Sequence, residues 1–226
     1  KNYHYEKFLR CNNKGIKLLQ FFEDDVIFRT DIVRSIISHN LNIHEKVIHG
    51  RNCKISEIES KEKGEFLRSN HLMGNDKAMI NLGAFHNDEL VAVMTFNKGN
   101  ITITNSDKFD WELSRFCCKN FYKVHGIADK LFKYFVRDKN RIKIITYASL
   151  MTGTGNVYKN LGFKFLHTTK PGYFYFKGKQ RFHRFVAVNN RIDRNISERE
   201  DMLNQGLLRV YDAGNNKFYF ERKDEE

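Results

Sequence analysis

The sequence predicts an α/β (α+β) chain in which helices flank a mixed central sheet, with a small helix–strand–helix piece ahead of it. Three observations predict it. Of the 226 residues 41% are apolar, with 20 Phe, 10 Tyr and 1 Pro, enough for a folded core and unlike a disordered chain. Apolar runs of strand length alternate with stretches whose apolar residues recur at helical spacing. Residues 111–163 combine both, reading strand, glycine turn, amphipathic helix, strand, short helix. A glycine turn that opens a helix leaves several backbone N–H groups without intrahelical partners, so it is a place to hold an anion.

The elements follow in order. Tyr5, Phe8 and Leu9 recur at helical spacing, and Asn13 and Gly15 sit where that helix stops. IKLLQFF, residues 16–22, is mostly apolar and is expected as a buried strand. Thr30 or Asp31 caps a second helix with Ile32, Ile36 and Ile37 on one stripe. Glu23-Asp24-Asp25 between them has two readings. Acidic residues at a strand end can bind a divalent metal, or they can cap the following helix and favour its dipole. The absence of a second acidic strand end in this segment favours capping.

Residues 42–50 read as a connector. CKISEIE alternates as a strand, and 61–71 reads as a helix with Phe66 and Leu67 inward. Residues 78–85 and 89–96 read as strands joined by the turn sequence His86-Asn87-Asp88. ITIT, 101–104, is a candidate loop strand, and 111–118 a further strand. In 126–139, Ile127, Ala128, Leu131, Phe132 and Phe135 form a buried stripe, with Lys130, Lys133, Arg137 and Lys139 outward. A strand at 141–148 and a short helix at 156–160, stopped by Gly162, follow. Residues 164–168 and 173–176 read as a strand pair around Lys170-Pro171-Gly172. Ser197 and Glu200 fit a capping box for a helix ending at Gly206. Residues 208–211 and 217–221 read as a small hairpin.

The formal net charge is +12, and residues 111–191 hold 17 Lys and Arg against 3 Asp and Glu, more than the whole excess. A field so concentrated favours a polyanion such as nucleic acid, although a solvated lysine face has the same composition. Cys11, Cys53, Cys117 and Cys118 have no metal-ligand spacing, so no metal is expected and free thiols in a reducing compartment are. No apolar run is long enough to span a bilayer and no secretory segment is present, so no membrane partner is expected. The chain begins at Lys1, as a fragment or a processed piece would.

Two resemblances meet in these residues. Lys123-Val124-His125-Gly126-Ile127-Ala128 resembles the pyrophosphate loop of GNAT acyltransferases, with Lys where that family has Gln or Arg. Tyr158-Lys159-Asn160-Leu161-Gly162-Phe163 resembles the family's Tyr-Glu-Lys-Leu-Gly-Phe segment. The resemblance covers residues 51–176 and implies a GNAT-like sheet. It implies acyl-CoA (acetyl-CoA) as donor, its phosphates held by Lys123, Val124, His125, Gly126, Ile127, Ala128 and Asp129, with Tyr158 as the acid for the departing thiolate.

The second resemblance covers nearly the whole chain. Tyr3-His4-Tyr5-Glu6-Lys7-Phe8, Gly15-Ile16-Lys17-Leu18-Leu19 and Phe22-Glu23-Asp24-Asp25-Val26 resemble the end of the very-short-patch-repair-like nuclease domain of phage homing endonucleases. Glu112-Leu113-Ser114-Arg115-Phe116-Cys117 and Tyr211-Asp212-Ala213-Gly214 resemble segments of the GNAT-like region those proteins carry. This implies three parts: 1–45 as the end of the nuclease domain, 46–180 as a GNAT-like domain and 181–226 as a basic, aromatic extension. The family's metal-binding acids lie upstream of this chain, and Val26 stands where Trp is usual, so the nuclease site is expected to be incomplete here. The DNA-modification protein Mom of phage Mu is likewise GNAT-like, which makes DNA a plausible acceptor. The cytoplasm of an infected bacterium is the implied location.

Two functions are compatible with these residues. In one the chain is a GNAT-type transferase acting on or beside DNA. Tyr158 is then the acid and Glu112 the candidate base, although a strand Glu near Arg115 is also a common ion pair. In the other it is a non-catalytic DNA-binding module of a homing endonuclease. Arg115, Lys170, Lys177, Lys179, Arg181, His183 and Arg184 are the candidate phosphate contacts. Phe163, Phe165, Phe174 and Phe176 are expected in the core rather than on DNA. A strand pair splayed beside Gly126 favours the transferase.

Overall fold

Apolar runs pair into sheets in the computed structural model, which describes residues 1–99 and 109–223. The ITIT piece lies outside the described residues. In chain order the elements are α1 (Tyr3–Asn12), α2 (Glu23–Phe28), α3 (Thr30–Asn40), β1 (Lys46–His49), a 3₁₀ turn (Gly50–Asn52), β2 (Lys54–Glu57), α4 (Ser60–Asn70), β3 (Ile80–His86), β4 (Glu89–Lys98), β5 (Trp111–Cys118), β6 (Tyr122–His125), α5 (Ile127–Val136), β7 (Ile142–Ser149), α6 (Asn156–Asn160), β8 (Lys164–Thr168), β9 (Tyr173–Lys177), β10 (Gln180–His183), α7 (Arg184–Asn189), α8 (Glu198–Asn204), β11 (Leu208–Tyr211) and β12 (Asn215–Arg222). They form two compact units. The first comprises Lys1–Phe28, Ser149–Thr154 and Thr168–Asn216, the second Arg29–Ala148, Gly155–His167 and Lys217–Glu226. The boundaries expected at 45/46 and 180/181 fall inside these segments.

The second unit is built on a mixed sheet of order β2-β3-β4-β5-β7-β12-β8, the α/β class that the sequence predicts. β2 to β5 pair antiparallel, and β5 pairs with β7 in parallel. Asn87 and Asp88 take φ values of 50° and 61°, the left-handed pair that a two-residue hairpin turn needs. α5 packs its predicted stripe into the core: Ile127, Leu131, Phe132 and Phe135 are buried, and the Phe135 ring stacks on Phe96.

A bulge organises the other face. Thr95 pairs with Arg115 and Phe96 with Leu113, so Ser114 is an extra residue in β5. Without it, residues 112 and 115 would point to opposite faces, because side chains alternate along a strand. With it, Glu112 and Arg115 share the face turned away from α5, while Leu113 and Phe116 pack with the α5 core.

The connector expected at 42–50 contains a strand: β1 pairs in parallel with β6. Its sequence, KVIH, is too short to show a period, and its partner lies far along the chain. Glu89 ties the pair to the main sheet, accepting from Lys119, Tyr122 and Lys46 at 2.5, 3.0 and 3.1 Å.

In the first unit, residues 16–22 are not a strand. Gly15, at φ 70°, ends the first helix, and the extended segment is instead pinned by Gln20. The Gln20 N–H donates to Met151 O, and its side chain meets His4 Nδ1 at 2.8 Å. Glu23-Asp24-Asp25 begins α2 itself rather than capping the next helix. Asp24 and Asp25 are buried against Arg181, whose guanidinium also covers the Phe22 ring.

The two expected hairpins do not form. β8 and β12 belong to the large sheet, whereas β9 and β11 pair with each other in a three-stranded sheet of order β10-β9-β11. Asp212 sets this arrangement by accepting from Gly172 N–H at 2.7 Å and Gly214 N–H at 2.8 Å. The Ser197 cap is present, with its Oγ accepting from Glu200 N–H. Among the described residues, no helix is long and apolar enough to cross a membrane. None of their His, Cys, Asp and Glu side chains form a group of three or more suited to a metal ion.

Candidate functional site

Gly126 opens α5 at φ 72°, and a Cβ there would meet nothing within 4 Å. Its glycine is needed for the left-handed turn, which costs an L-residue about 1–2 kcal/mol. No side chain caps α5, so the N–H groups of Ile127, Ala128 and Asp129 at its first turn retain donor capacity. The Val124 and Ile127 side chains are core. His125 is exposed and stacked on His49 at 5.7 Å. Lys123 donates to Asn42 and Asp129 pairs with Lys133.

Gly50 was not singled out in the sequence, yet a Cβ there would lie 2.8 Å from His125 O and 3.0 Å from Ile127 N. The 3₁₀ turn therefore packs directly on the glycine turn. Lys130, expected to face outward, holds it by donating to the carbonyls of Gly50, Arg51 and Cys53.

β5 and β7 pair only at Trp111/Ile144, Glu112/Ile145 and Leu113/Thr146. Both strands continue, to Cys118 and Ser149, without pairing to each other among the described residues. A parallel pair that stops this way exposes backbone groups along two strand edges. Tyr158 on α6 stands at the last pair, hydrogen-bonded to the Thr146 side chain, whose hydroxyl donates to Leu113 O at 2.9 Å. Burial pushes the Tyr158 hydroxyl up, and Arg115 opposes this in part.

Glu112 lies on the other face of the same sheet. Burial raises its carboxyl; Arg115 lowers it and Asp76 raises it further. No salt bridge joins Glu112 to Arg115 among the described residues, so the ion-pair alternative is not what is found. Asp76, by contrast, is fully committed. It accepts from Thr95 at 2.7 Å and from Ser114, and it pairs with Lys63 at 3.0 Å, where both side chains are under a tenth exposed. Burial would raise the Asp76 carboxyl, but these donors together hold it low. His71 is pushed down to about 4, by burial first and then by Arg115, so it is neutral near pH 7. Neither Asp76 nor Lys63 was foreseen. They lie in polar stretches without period, and only the fold brings them together. Thr146 carried a faint signal as a lone hydroxyl within an apolar strand.

The remaining candidates are in the first unit. Lys170, Lys177 and Lys179 are exposed. Arg181 is not: its side chain is 11% exposed and bound to Asp24 and Asp25. His183 caps α7 by accepting from Phe185 N–H. Arg184 lies over the Tyr173 ring and 3.6 Å from Glu198. Phe163 is core, Phe174 and Phe176 pack on Phe22, and Phe165 is 51% exposed, against the expectation for it.

No protein-family model and no curated protein matches the chain. Among solved structures it is similar to an acetyltransferase of Bacillus subtilis in complex with CoA, at 12% identity and TM-score 0.40 over 75% of this chain and 98% of that one. It is also similar to a structure of histone acetyltransferase HPA2 and related acetyltransferase from Corynebacterium glutamicum, at 11% identity and TM-score 0.38 over 92% and 96%. At such identities, and with TM-scores below 0.5, neither likeness bears on substrate or activity.

Proposed function

We propose that this chain is a GNAT-type transferase that takes an acyl group from acyl-CoA and acts on or beside DNA. The observation that carries the reading is the division of β5 from β7, with Tyr158 on one face of the sheet and Glu112 on the other. Acyl-CoA supplies an activated thioester. The Gly126 turn fits its phosphates: nothing occupies the space in front of the glycine, and the N–H groups of Ile127, Ala128 and Asp129 are suited to an anion.

Glu112 takes a proton from the attacking amine or hydroxyl of the acceptor. Its raised carboxyl makes it a stronger base than an exposed glutamate. The acyl carbon gains a bond to the acceptor and loses its bond to sulfur. Tyr158 gives its proton to the leaving thiolate, and burial keeps that proton in place until then. The test is a calorimetric titration of CoA, with and without duplex DNA. Binding that Gly126→Glu abolishes supports the transferase.

A second reading, a DNA-binding module of a phage homing endonuclease, is favoured by Lys170, Lys177 and Lys179. They are exposed and make no hydrogen bond or ion pair among the described residues. Salt-dependent DNA binding without any CoA response supports that reading and sinks the first.

A further inference from the structure

We infer that the sheet face carrying Glu112 holds an anionic group of the acceptor, a carboxylate or a phosphate, gripped by Arg115 and Lys217. The word acceptor rests on the transferase reading; the anion site does not.

Lys217 on β12 is 4% exposed. It makes no hydrogen bond or ion pair among the described residues. Among the described residues its ammonium lies near two ring faces, Phe109 at 5.6 Å and Tyr147 at 6.0 Å. The next residue, Phe218, packs against Tyr158 on the α6 side, so alternation turns Lys217 to the opposite face, where Tyr147 lies. Ring faces at that distance offset only part of the cost of taking an ammonium out of water.

Arg115 shares this condition. Among the described residues it donates to the carbonyl of its neighbour Ser114 at 2.8 Å, and its Nε is buried without a partner. A guanidinium has five N–H donors, so most of this one is unused.

The acids on this face do not supply the missing charge. Asp76 is taken by Lys63, Thr95 and Ser114. Glu112 is near enough to Arg115 and Tyr147 to influence both surroundings, yet it bridges to neither among the described residues. Two cations that make no ion pair among the described residues, on strands that flank β7, share the single uncommitted carboxylate of Glu112, and the surplus positive charge calls for an external anion. A planar guanidinium and a compact ammonium together match the oxygens of a carboxylate or a phosphate. This face is turned away from α5, whose first turn serves the phosphates of the donor, so the anion belongs to the acceptor.

The test compares thermal unfolding in chloride with unfolding in inorganic phosphate or acetate at equal ionic strength, with calorimetry for affinity. One of the two anions is expected to raise Tm and bind saturably; which one does so names the group. Arg115→Gln and Lys217→Met are each expected to weaken binding by about tenfold or more. Arg115→Lys and Lys217→Arg, which keep the charge, serve as variants whose fold is checked by circular dichroism and are expected to bind more tightly than the neutral replacements.

No stabilisation beyond chloride overturns the proposal. So does stabilisation that survives undiminished in both neutral variants, which puts the anion elsewhere, at the Gly126 turn or on exposed lysines such as Lys177 and Lys179. CoA binding retained by Arg115→Gln and Lys217→Met supports the acceptor side; CoA binding lost with the anion response overturns it. An anion response in a protein that binds no CoA upholds the site and sinks the transferase reading.

Discussion

The two faces of β5 are held together by different physics. Toward α5, Leu113 packs among Phe96, Phe135, Leu131 and Ile144, all buried, and apolar area is the source of stability. On the opposite face, Lys63 and Thr95 are buried but polar, the Asp76 side chain is 8% exposed, and Glu112 and Arg115 lie beside them. There the stability depends on each donor meeting its acceptor. The difference shows what a single inserted residue can do. Ser114 shifts the alternation of β5, so Glu112 and Arg115 fall on one face and the apolar residues on the other. An apolar face tolerates a small loss of volume; a charged, buried face does not tolerate the loss of a partner.

The sharpest way to break this contrast is Asp76→Ala. It leaves the Lys63 ammonium buried without its carboxylate, and the expected loss is about 3–5 kcal/mol by chemical denaturation. Replacing the pair together, Lys63→Met with Asp76→Leu, is expected to recover most of that loss. If the double variant is no better than the single one, packing rather than charge governs this face.

Gly126→Ala comes next, with an expected cost of about 1–2 kcal/mol from the left-handed backbone alone, since a Cβ meets no neighbour there. A larger loss would mean that the turn is more crowded than its geometry implies. Ile144→Val, on the apolar face, is expected to cost about 1 kcal/mol.

Two glutamates extend the comparison to pH, with opposite signs. Glu89 is held down to about 2, first by its hydrogen bond from Lys119, against an ordinary value of 4.5. Its stabilisation is present above pH 4.5 and is lost as pH falls toward 2. Glu112 is raised by burial. The folded state therefore binds its proton more readily than the unfolded chain does. Its contribution is full below the ordinary value and is lost as pH rises through the raised one. Glu112→Gln is accordingly expected to be more stable than wild type at pH 7, with the advantage vanishing at acid pH. Glu89→Gln is expected to be less stable at pH 7, the deficit shrinking as pH falls. Stability measured from pH 2.5 to 8 checks both, and profiles of the same sign would refute the contrast.

Much of the second unit was legible because its signals are local. The β3–β4 turn is written in Asn87-Asp88, the α5 stripe in its apolar spacing, and the start of α6 close to its short helical run. Gly126 was legible as a candidate by type and position, and Tyr158 and Glu112 became candidates through the resemblance to GNAT acyltransferases. The segment 16–22 misled because apolar content alone does not separate a strand from an extended segment held by Gln20 and Met151. The acids at 23–25 misled because their partner, Arg181, lies more than 150 residues away.

The sequence by itself determined where most helices and strands occur, 16–22 and 46–49 being exceptions, since periodicity, glycine turns and caps act over a few residues. Only the tertiary structure decided which strands meet. It sent β8 and β12 to one sheet and β9 and β11 to another, and gave β1 to β6. It also decided that Ser114 is a bulge and that Lys63, Lys217 and the Asp76 side chain are buried. Pairing partners are chosen by contacts across long loops, whose closure depends only weakly on chain separation, so no local pattern records them.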